Sequence, residues 1–242
     1  MKKLMLSLML IFCSVNAQAI LLTDLLNGGS IIAGDKEFDD WDVLFSGSSD
    51  FRLFDTDNID VTALNDGGLE PGPGLRYDIS NGMFDLEGDG VFAFLDFQFS
   101  FSVSVLDPLL QLKDNSLILN DYDLFNSIDL SSVFIEEFVY ADDRVTQLGN
   151  KNVEASELSD GIGGFTSTEK LQDSAVFAAQ DSIWVTTNIL LEAFDPADRV
   201  LLSGFEQRFS QATRRVDVPE PDSMLLWGLG LLMFIVRRLR VK

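Results

Sequence analysis

Two short acidic stretches contain the residues whose types and spacing are most suggestive of chemistry. The stretches DTDNID and DLEGDG contribute six carboxylates: Asp55, Asp57, Asp60, Asp85, Glu87 and Asp89. Carboxylate oxygens at alternate positions of a turn are the hard ligands that Ca²⁺ takes. Neither stretch completes an EF-hand loop, which needs a Gly at its sixth position and a distant Glu. The six side chains are therefore candidates for a calcium site, and no other cofactor is indicated.

The residue types that are missing exclude several kinds of site. The chain has no His, and its one Cys is Cys13, near the N-terminus. Once the N-terminal segment described below is removed, no disulfide, Cys nucleophile or Cys/His zinc site can form. A Ser-His-Asp triad is excluded for the same reason. Any catalysis would depend on carboxylates, Lys, Tyr, Ser or Thr.

A carboxylate pair is the simplest enzymatic alternative. Two carboxyl groups held about 5 to 10 Å apart can hydrolyse a glycosidic bond. With 39 Asp and Glu residues, however, such pairs are unavoidable and discriminate nothing. No P-loop, nucleophile elbow or other local catalytic motif occurs. We expect a protein that is not an enzyme and name no catalytic residue, with a carboxylate-dependent glycoside hydrolase as an alternative.

The charge of the chain argues against nucleic acid as a partner. The formal net charge is −22, and no basic patch interrupts the acidic residues. Phosphates would be repelled by such a surface. The chain is nevertheless not a disordered acidic tract, because 46% of its residues are hydrophobic and 20 of them are Phe.

Period-two alternation predicts the elements that must position these residues. The stretch LDFQFSFSVSV, from Leu95 to Val105, places apolar side chains on one face and polar side chains on the other. IWVTTNILL, from Ile183 to Leu191, repeats this pattern. Further strands are predicted at WDVLFS, FRLF, NIDVTAL, LRYDIS, SLILN, SVFIEEFVY and GFEQRFSQ, with Gly-rich turns between them. The pattern indicates an all-β fold, an antiparallel, jelly-roll-like β-sandwich.

Helices are expected to be few and the middle of the chain to form one domain. TDLLNGG predicts one turn after Thr23, and NVEASELSDGIGG predicts a second short helix. We assign the exported β-sandwich to residues 20–210 and a polar linker to residues 211–218. Trp41 and Trp184 are candidates for stacking on sugar rings if their side chains are exposed.

The N-terminus has the three parts of a secretory signal peptide. Lys2 and Lys3 precede a short apolar run, which ends before Ala17-Gln18-Ala19. The run is far shorter than the roughly 20 residues that span a bilayer. We therefore predict a signal peptide over residues 1–19, cleaved by signal peptidase after Ala19, with Ala17 and Ala19 as the recognition residues.

The C-terminus combines a rigid triplet, an apolar segment and a basic end. The triplet is Pro219-Glu220-Pro221, and residues 224–236 form an uncharged apolar run. As a helix this run is roughly 20 Å long, shorter than the hydrocarbon core. It is followed by the basic residues Arg237, Arg238 and Arg240. The positive-inside rule places that end in the cytoplasm and the β-domain on the other side of the inner membrane.

The order of these three parts resembles the PEP-CTERM sorting signal, here residues 219–242. The resemblance implies that an exosortase recognises the C-terminus of an exported protein in a Gram-negative bacterium that makes extracellular polysaccharide. NGGSIIAGDKEFDDWDVLF and GFEQRFSQ are similar to β-rich domains of other PEP-CTERM proteins, which are largely uncharacterised. That similarity supports the fold and implies no activity.

Together these features predict a non-catalytic protein of the cell surface or biofilm matrix, associated with extracellular polysaccharide. Its precursor would be inserted in the inner membrane only transiently. The alternative is a permanently tail-anchored, periplasm-facing protein that binds carbohydrate or calcium.

Overall fold

The computed structural model describes residues 19–125, 128–162 and 164–214, and most of this part of the chain is β-strand. One short helix, α1, spans Leu22–Leu26 and one 3₁₀ turn spans Thr56–Asn58. The strands are β1 (Ala19–Leu21), β2 (Ile31–Ala33), β3 (Lys36–Ser48), β4 (Ile59–Leu64), β5 (Gly74–Ile79), β6 (Asp85–Glu87), β7 (Ala93–Val105), β8 (Leu110–Phe125), β9 (Leu130–Ala141), β10 (Gln147–Ser159), β11 (Phe165–Lys170), β12 (Gln172–Gln180), β13 (Ser182–Ala193) and β14 (Arg199–Thr213).

The strands form two seven-stranded antiparallel sheets packed face to face. The first sheet has the order β1-β4-β5-β14-β8-β12, and β6 also pairs with β14. The second sheet has the order β11-β10-β9-β13-β7-β3-β2. The predicted antiparallel β-sandwich is confirmed.

Aromatic side chains fill the space between the sheets. Phe99 of the second sheet lies 5.5 Å from Tyr77 of the first sheet, measured between ring centroids. Phe38 and Phe209 make a second contact between the sheets at 5.3 Å. The inward set of β7 is the one that the alternation predicted, because successive side chains of a strand point to opposite faces.

Polar side chains also cross the interior. On the second sheet Glu137, Lys151 and Thr187 are fully or almost fully buried, and on the first sheet Asn115 and Gln207 are fully buried. Buried polar groups are costly unless they are hydrogen-bonded. These side chains meet that requirement by bonding to one another across the interior of the sandwich.

Three details differ from the sequence predictions. FRLF is a loop between β3 and the 3₁₀ turn, because Arg52 is bound to Asp50 and to the backbone carbonyls of Met83 and Asp85. NVEASELSDGIGG lies mainly in β10 and forms no helix, because it pairs with β9 and β11. Strand β14 continues to Thr213, beyond the residue 210 at which we expected the β-sandwich to end.

Candidate functional site

The outer face of the second sheet carries a column of aromatic side chains along β9. Val133, Ile135, Glu137 and Val139 point into the sandwich, so the alternate side chains Phe134, Phe138 and Tyr140 point outwards. The rings of Phe138 and Tyr140 are 6.5 Å apart between centroids, close to the spacing of alternate residues along a strand.

Strand β13 adds a second column beside the first. The register pairs Trp184 with Tyr140 and Thr186 with Phe138. Side chains directly opposite one another on antiparallel strands lie in contact. We call the outward side chains of Phe134, Phe138, Tyr140 and Trp184 the aromatic face.

One end of the aromatic face is covered by the turn between β9 and β10. Arg144, in this turn, places its guanidinium carbon 3.7 Å from the centroid of the Trp184 ring. The same guanidinium donates a hydrogen bond to Asp40 at 3.1 Å. Arg144 therefore orients the indole, and Tyr140 and Phe138 are the neighbouring rings along the face.

A polar row crosses the sheet next to the aromatic face. The register aligns Gln98, Asn188, Glu136 and Asn152 on four adjacent strands. The Oδ1 atom of Asn188 is buried and has no hydrogen-bond partner among the described residues. The row therefore presents amide and carboxylate groups beside aromatic rings, a combination that can bind hydroxyl groups and stack on apolar ring faces.

Asp96 lies one row further along the same face. Its Oδ1 atom is also buried without a hydrogen-bond partner in the described part of the chain, and burial raises the pKa of this carboxyl group. A partly dehydrated carboxylate next to an aromatic face is a hydrogen-bond acceptor that a ligand hydroxyl can satisfy.

The two tryptophans proposed to stack on sugar rings lie in different parts of the sandwich. Trp184 lies on the outer face, as that hypothesis requires. Trp41 does not: only 7% of it is exposed, and its ring stacks on Phe101 at 4.5 Å inside the sandwich. The outward positions of SVFIEEFVY were the signal that could have identified Phe138 and Tyr140.

The second acidic stretch lines an open cleft of about 690 Å³ at one end of the sandwich. Asp85, Glu87 and Asp89 are all on its wall. Asp85 is bound by the guanidinium of Arg199, and Oδ1 of Asp89 accepts backbone N–H groups of Val91 and Phe92.

The first acidic stretch is dispersed. Oδ1 of Asp55 accepts the backbone N–H of Asp57 at the start of the 3₁₀ turn, while Asp60 lies in β4 opposite Asp78. Within residues 19–125, 128–162 and 164–214 no group of three or more acidic side chains is placed to hold a metal ion. The geometry therefore adds no support to the calcium hypothesis.

The predicted sorting residues lie outside the described part of the chain. These are Ala17, Pro219, Glu220, Pro221, Arg237, Arg238 and Arg240, together with the apolar segment 224–236. Ala19 is described and pairs with Thr62 as the first residue of β1. No helix within the described ranges is long and apolar enough to span a bilayer.

Comparison with solved structures finds proteins with weak similarity. A carbohydrate-binding module studied for mannan recognition, TmCBM27, is 10% identical over 73% of this chain and 90% of its own, with a TM-score of 0.31. TmCBM61, solved with β-1,4-galactotriose, is 13% identical over 72% and 89%, with a TM-score of 0.27. The family 11 xylanase from Neocallimastix patriciarum is 6% identical over 77% and 95%, with a TM-score of 0.22. Similarities at this level carry no argument about function.

Comparison of the sequence with protein families gives a specific result. No curated protein matches the chain. The family model described as the PEP-CTERM protein-sorting motif matches residues 217–241, which include the Pro-Glu-Pro triplet, the apolar segment and the three arginines. The chain therefore carries a PEP-CTERM protein-sorting motif at residues 217–241.

Proposed function

We propose that this protein is an exported, exosortase-processed and non-catalytic polysaccharide-binding protein, and that the aromatic face of the second sheet is its binding surface. The observation that carries this proposal is the position of Phe138 and Tyr140, side by side on an outer face. The rings are only partly buried, so part of each ring surface is available to stack on a ligand.

The polar row beside the rings supports the same function. Sugars present hydroxyl groups at their edges and C–H groups on their ring faces, so they need both hydrogen-bonding groups and aromatic surface. Gln98, Asn188 and Asn152 supply amides that donate and accept. The row crosses β9 and β13, the two strands that carry the aromatic face.

The fully buried carboxyl groups serve the fold and are not available to a substrate. Glu137 and Asp198 are fully buried. Glu137 is paired with Lys151 in the interior, and Asp198 accepts backbone N–H groups of Leu130 and Asp195. A glycosidic carboxylate pair would instead flank a substrate.

Binding can be tested with the mature protein and extracellular polysaccharide isolated from the producing cells. We expect Tyr140→Ala and Phe138→Ala each to weaken binding about tenfold, the equivalent of one aromatic contact. Phe51→Ala is the matched control, because Phe51 is 91% exposed in a loop away from this face. Unchanged binding by both face variants, or a loss confined to Phe51→Ala, would move the site elsewhere. Release of reducing ends from the polysaccharide would contradict the non-catalytic role.

Sorting can be tested separately by the intact mass of protein recovered from membranes and from medium. The motif class implies export and processing near Pro219-Glu220-Pro221. We expect a species that begins at Ile20 and lacks the residues beyond this triplet. A membrane-bound species that retains residues 224–242 would instead identify a permanent anchor.

A further inference from the structure

Lys151 occupies an unusual position for a lysine. It lies on β10 of the second sheet, is only 2% exposed and points into the sandwich. Its Nζ atom donates a hydrogen bond to Oδ1 of Asn115, on β8 of the first sheet, and forms an ion pair with Glu137, on β9. Asn115 and Glu137 are both fully buried. An amine, a carboxamide and a carboxylate are thus enclosed together in the interior.

Neighbouring side chains orient each member of this group. Glu137 accepts hydrogen bonds at Oε1 from Nε2 of Gln207 and from the hydroxyl of Thr187. The other end of Gln207 accepts the Tyr77 hydroxyl at 3.0 Å. The Nδ2 atom of Asn115 donates to the backbone carbonyl of Arg208 at 3.4 Å. The carboxamide therefore presents its carbonyl side to the lysine.

Enclosure makes the amine reactive. Burial lowers the pKa of Lys151, because the charged ammonium has lost its water. Transfer of a proton to Glu137 would remove both charges from the low-dielectric interior and leave a neutral amine with a free lone pair. A desolvated lysine of this kind is a nucleophile, and the carboxamide carbon of Asn115 is bonded to the oxygen that it contacts.

We propose that Lys151 and Asn115 form an intramolecular isopeptide bond, with Glu137 as the acid–base group. Glu137 first takes a proton from the ammonium of Lys151. The lone pair of Nζ then attacks Cγ of Asn115, and the carbonyl electron pair moves onto Oδ1. Glu137 gives its proton to Nδ2 and takes one from Nζ. Collapse of the tetrahedral centre re-forms the carbonyl and breaks the Cγ–Nδ2 bond.

The products balance without any further reactant. Ammonia leaves, Glu137 retains one proton, and a neutral secondary amide joins β10 to β8. Holding the reacting groups in contact supplies the rate enhancement, since oriented intramolecular reactions reach effective concentrations of roughly 10⁵ to 10⁸ M. The bond would link the two sheets covalently in a chain whose one Cys, Cys13, lies in the predicted signal peptide.

A second lysine provides an internal comparison. Lys36 is also fully buried and donates to Oε1 of Gln211 at 2.7 Å and to Asp35 at 3.0 Å. The side chain of Asp35, however, is 21% exposed, whereas that of Glu137 is fully buried. A solvated carboxylate gains less from accepting the proton of its lysine. We therefore assign the bond to Lys151 and expect Lys36 to remain a free amine.

Peptide mapping of the mature protein without any substitution tests the bond directly. We expect an intact mass lower than the sequence mass by one ammonia molecule. Trypsin would then spare Lys151 and yield a branched species in which peptide 114–144, produced by cleavage after Lys113 and Arg144, is joined to peptide 145–170. Recovery of peptides 114–144 and 145–151 as separate, unaltered species would overturn the proposal. So would ammonia loss confined to peptide 114–144 without a branch, which indicates a succinimide at asparagine.

Variants test the role of Glu137. We expect Glu137→Gln to retain the ammonia and to give the separate peptides. Glu136→Gln is the matched control, because the preceding residue undergoes the same chemical change on the opposite face of the strand. We expect the Glu136→Gln protein to yield the branched species. A Glu137→Gln protein that still forms the branched species would remove Glu137 from the reaction. Should that variant fail to fold, the map of the unsubstituted protein still decides whether the bond exists.

Discussion

Gln207 of the first sheet and Glu137 of the second sheet are hydrogen-bonded across the interior of the sandwich. The same amide accepts the Tyr77 hydroxyl and donates to Thr187. A single glutamine therefore satisfies three buried polar partners on both sheets, and the interior depends on its amide in a way that an apolar residue cannot replace.

Replacing Gln207 should destabilise the protein strongly. Gln207→Leu conserves much of the volume but leaves the Tyr77 hydroxyl without its acceptor and removes one of the donors to Glu137. An orphaned buried polar group costs about 1 to 3 kcal/mol, so we expect the free energy of unfolding to fall by about 2 to 4 kcal/mol in urea titrations. Glu206→Leu, on the outer face of the same strand, is the control and should change it far less. Equal losses in the two variants would show that the network contributes nothing specific.

Gly74 should tolerate no side chain. It lies at the start of β5 opposite Arg208, and a Cβ atom there would be 1.9 Å from the backbone oxygen of Gln207. Gly74→Ala must therefore push β5 away from β14, which we expect to cost at least about 2 kcal/mol. Gly68→Ala serves as the control, since nothing lies within 4 Å of the position that its Cβ atom would occupy. Thermal unfolding of both variants provides the measurement, and a stable Gly74→Ala protein would contradict the close approach of the strands.

Arg144 should shield Trp184. Removing the guanidinium in Arg144→Gln exposes one face of the indole and removes a cation–π contact of about 0.5 to 1 kcal/mol. We expect acrylamide to quench Trp184 fluorescence more strongly in this variant, with Trp184→Phe identifying the Trp184 signal. Lys170→Gln, which removes a cation elsewhere on the second sheet, should leave the quenching unchanged. Identical quenching in Arg144→Gln and the unsubstituted protein would mean that the stacking does not persist in solution.

Asp50 should contribute to acid sensitivity. Hydrogen bonds from Arg52 hold the pKa of Asp50 well below its ordinary value. A carboxyl group with a lowered pKa in the folded state stabilises that state above its unfolded pKa, about 3.9, and loses this contribution as the pH falls further. We therefore expect Asp50→Asn to lose less stability than the unsubstituted protein as the pH falls from about 5 to about 2.

The partner variant checks that assignment. In an Arg52→Gln background, Asp50→Asn should produce a much smaller further change in the pH dependence, because the guanidinium hydrogen bonds, the largest cause of the lowered pKa, are already absent. A full additional change would show that the acid sensitivity of Asp50 does not depend on Arg52.

The local sequence pattern was sufficient to predict a strand where one face of that strand is apolar and the other is polar. The alternation from Leu95 to Val105 predicted both β7 and its buried side, since strand geometry sends successive side chains to opposite faces. The sorting motif could also be recognised directly, because it is a linear order of residue types. Both features are encoded in consecutive residues.

The local sequence pattern predicted the wrong secondary structure where contacts with residues distant in the sequence determine the backbone conformation. In FRLF, Phe51 has a φ of 55° and Leu53 is 94% exposed, neither of which is typical of a strand. The hydrogen bonds of Arg52 to Asp50, Met83 and Asp85 determine the conformation of this loop in spite of its strand propensity. NVEASELSDGIGG contains good helix formers, yet pairing with β9 and β11 makes it a strand, as strand formation depends on neighbours more than on intrinsic preference.

The sequence by itself determined the all-β class, the outward and inward sets of the regular strands, and the sorting motif. Only the tertiary structure decided that Trp184 is outside while Trp41 is in the core, and that Lys151, Glu137 and Asn115 meet in the interior. The physical reason is that these residues lie on strands far apart in the chain, and the packing of one sheet on the other is what brings them into contact.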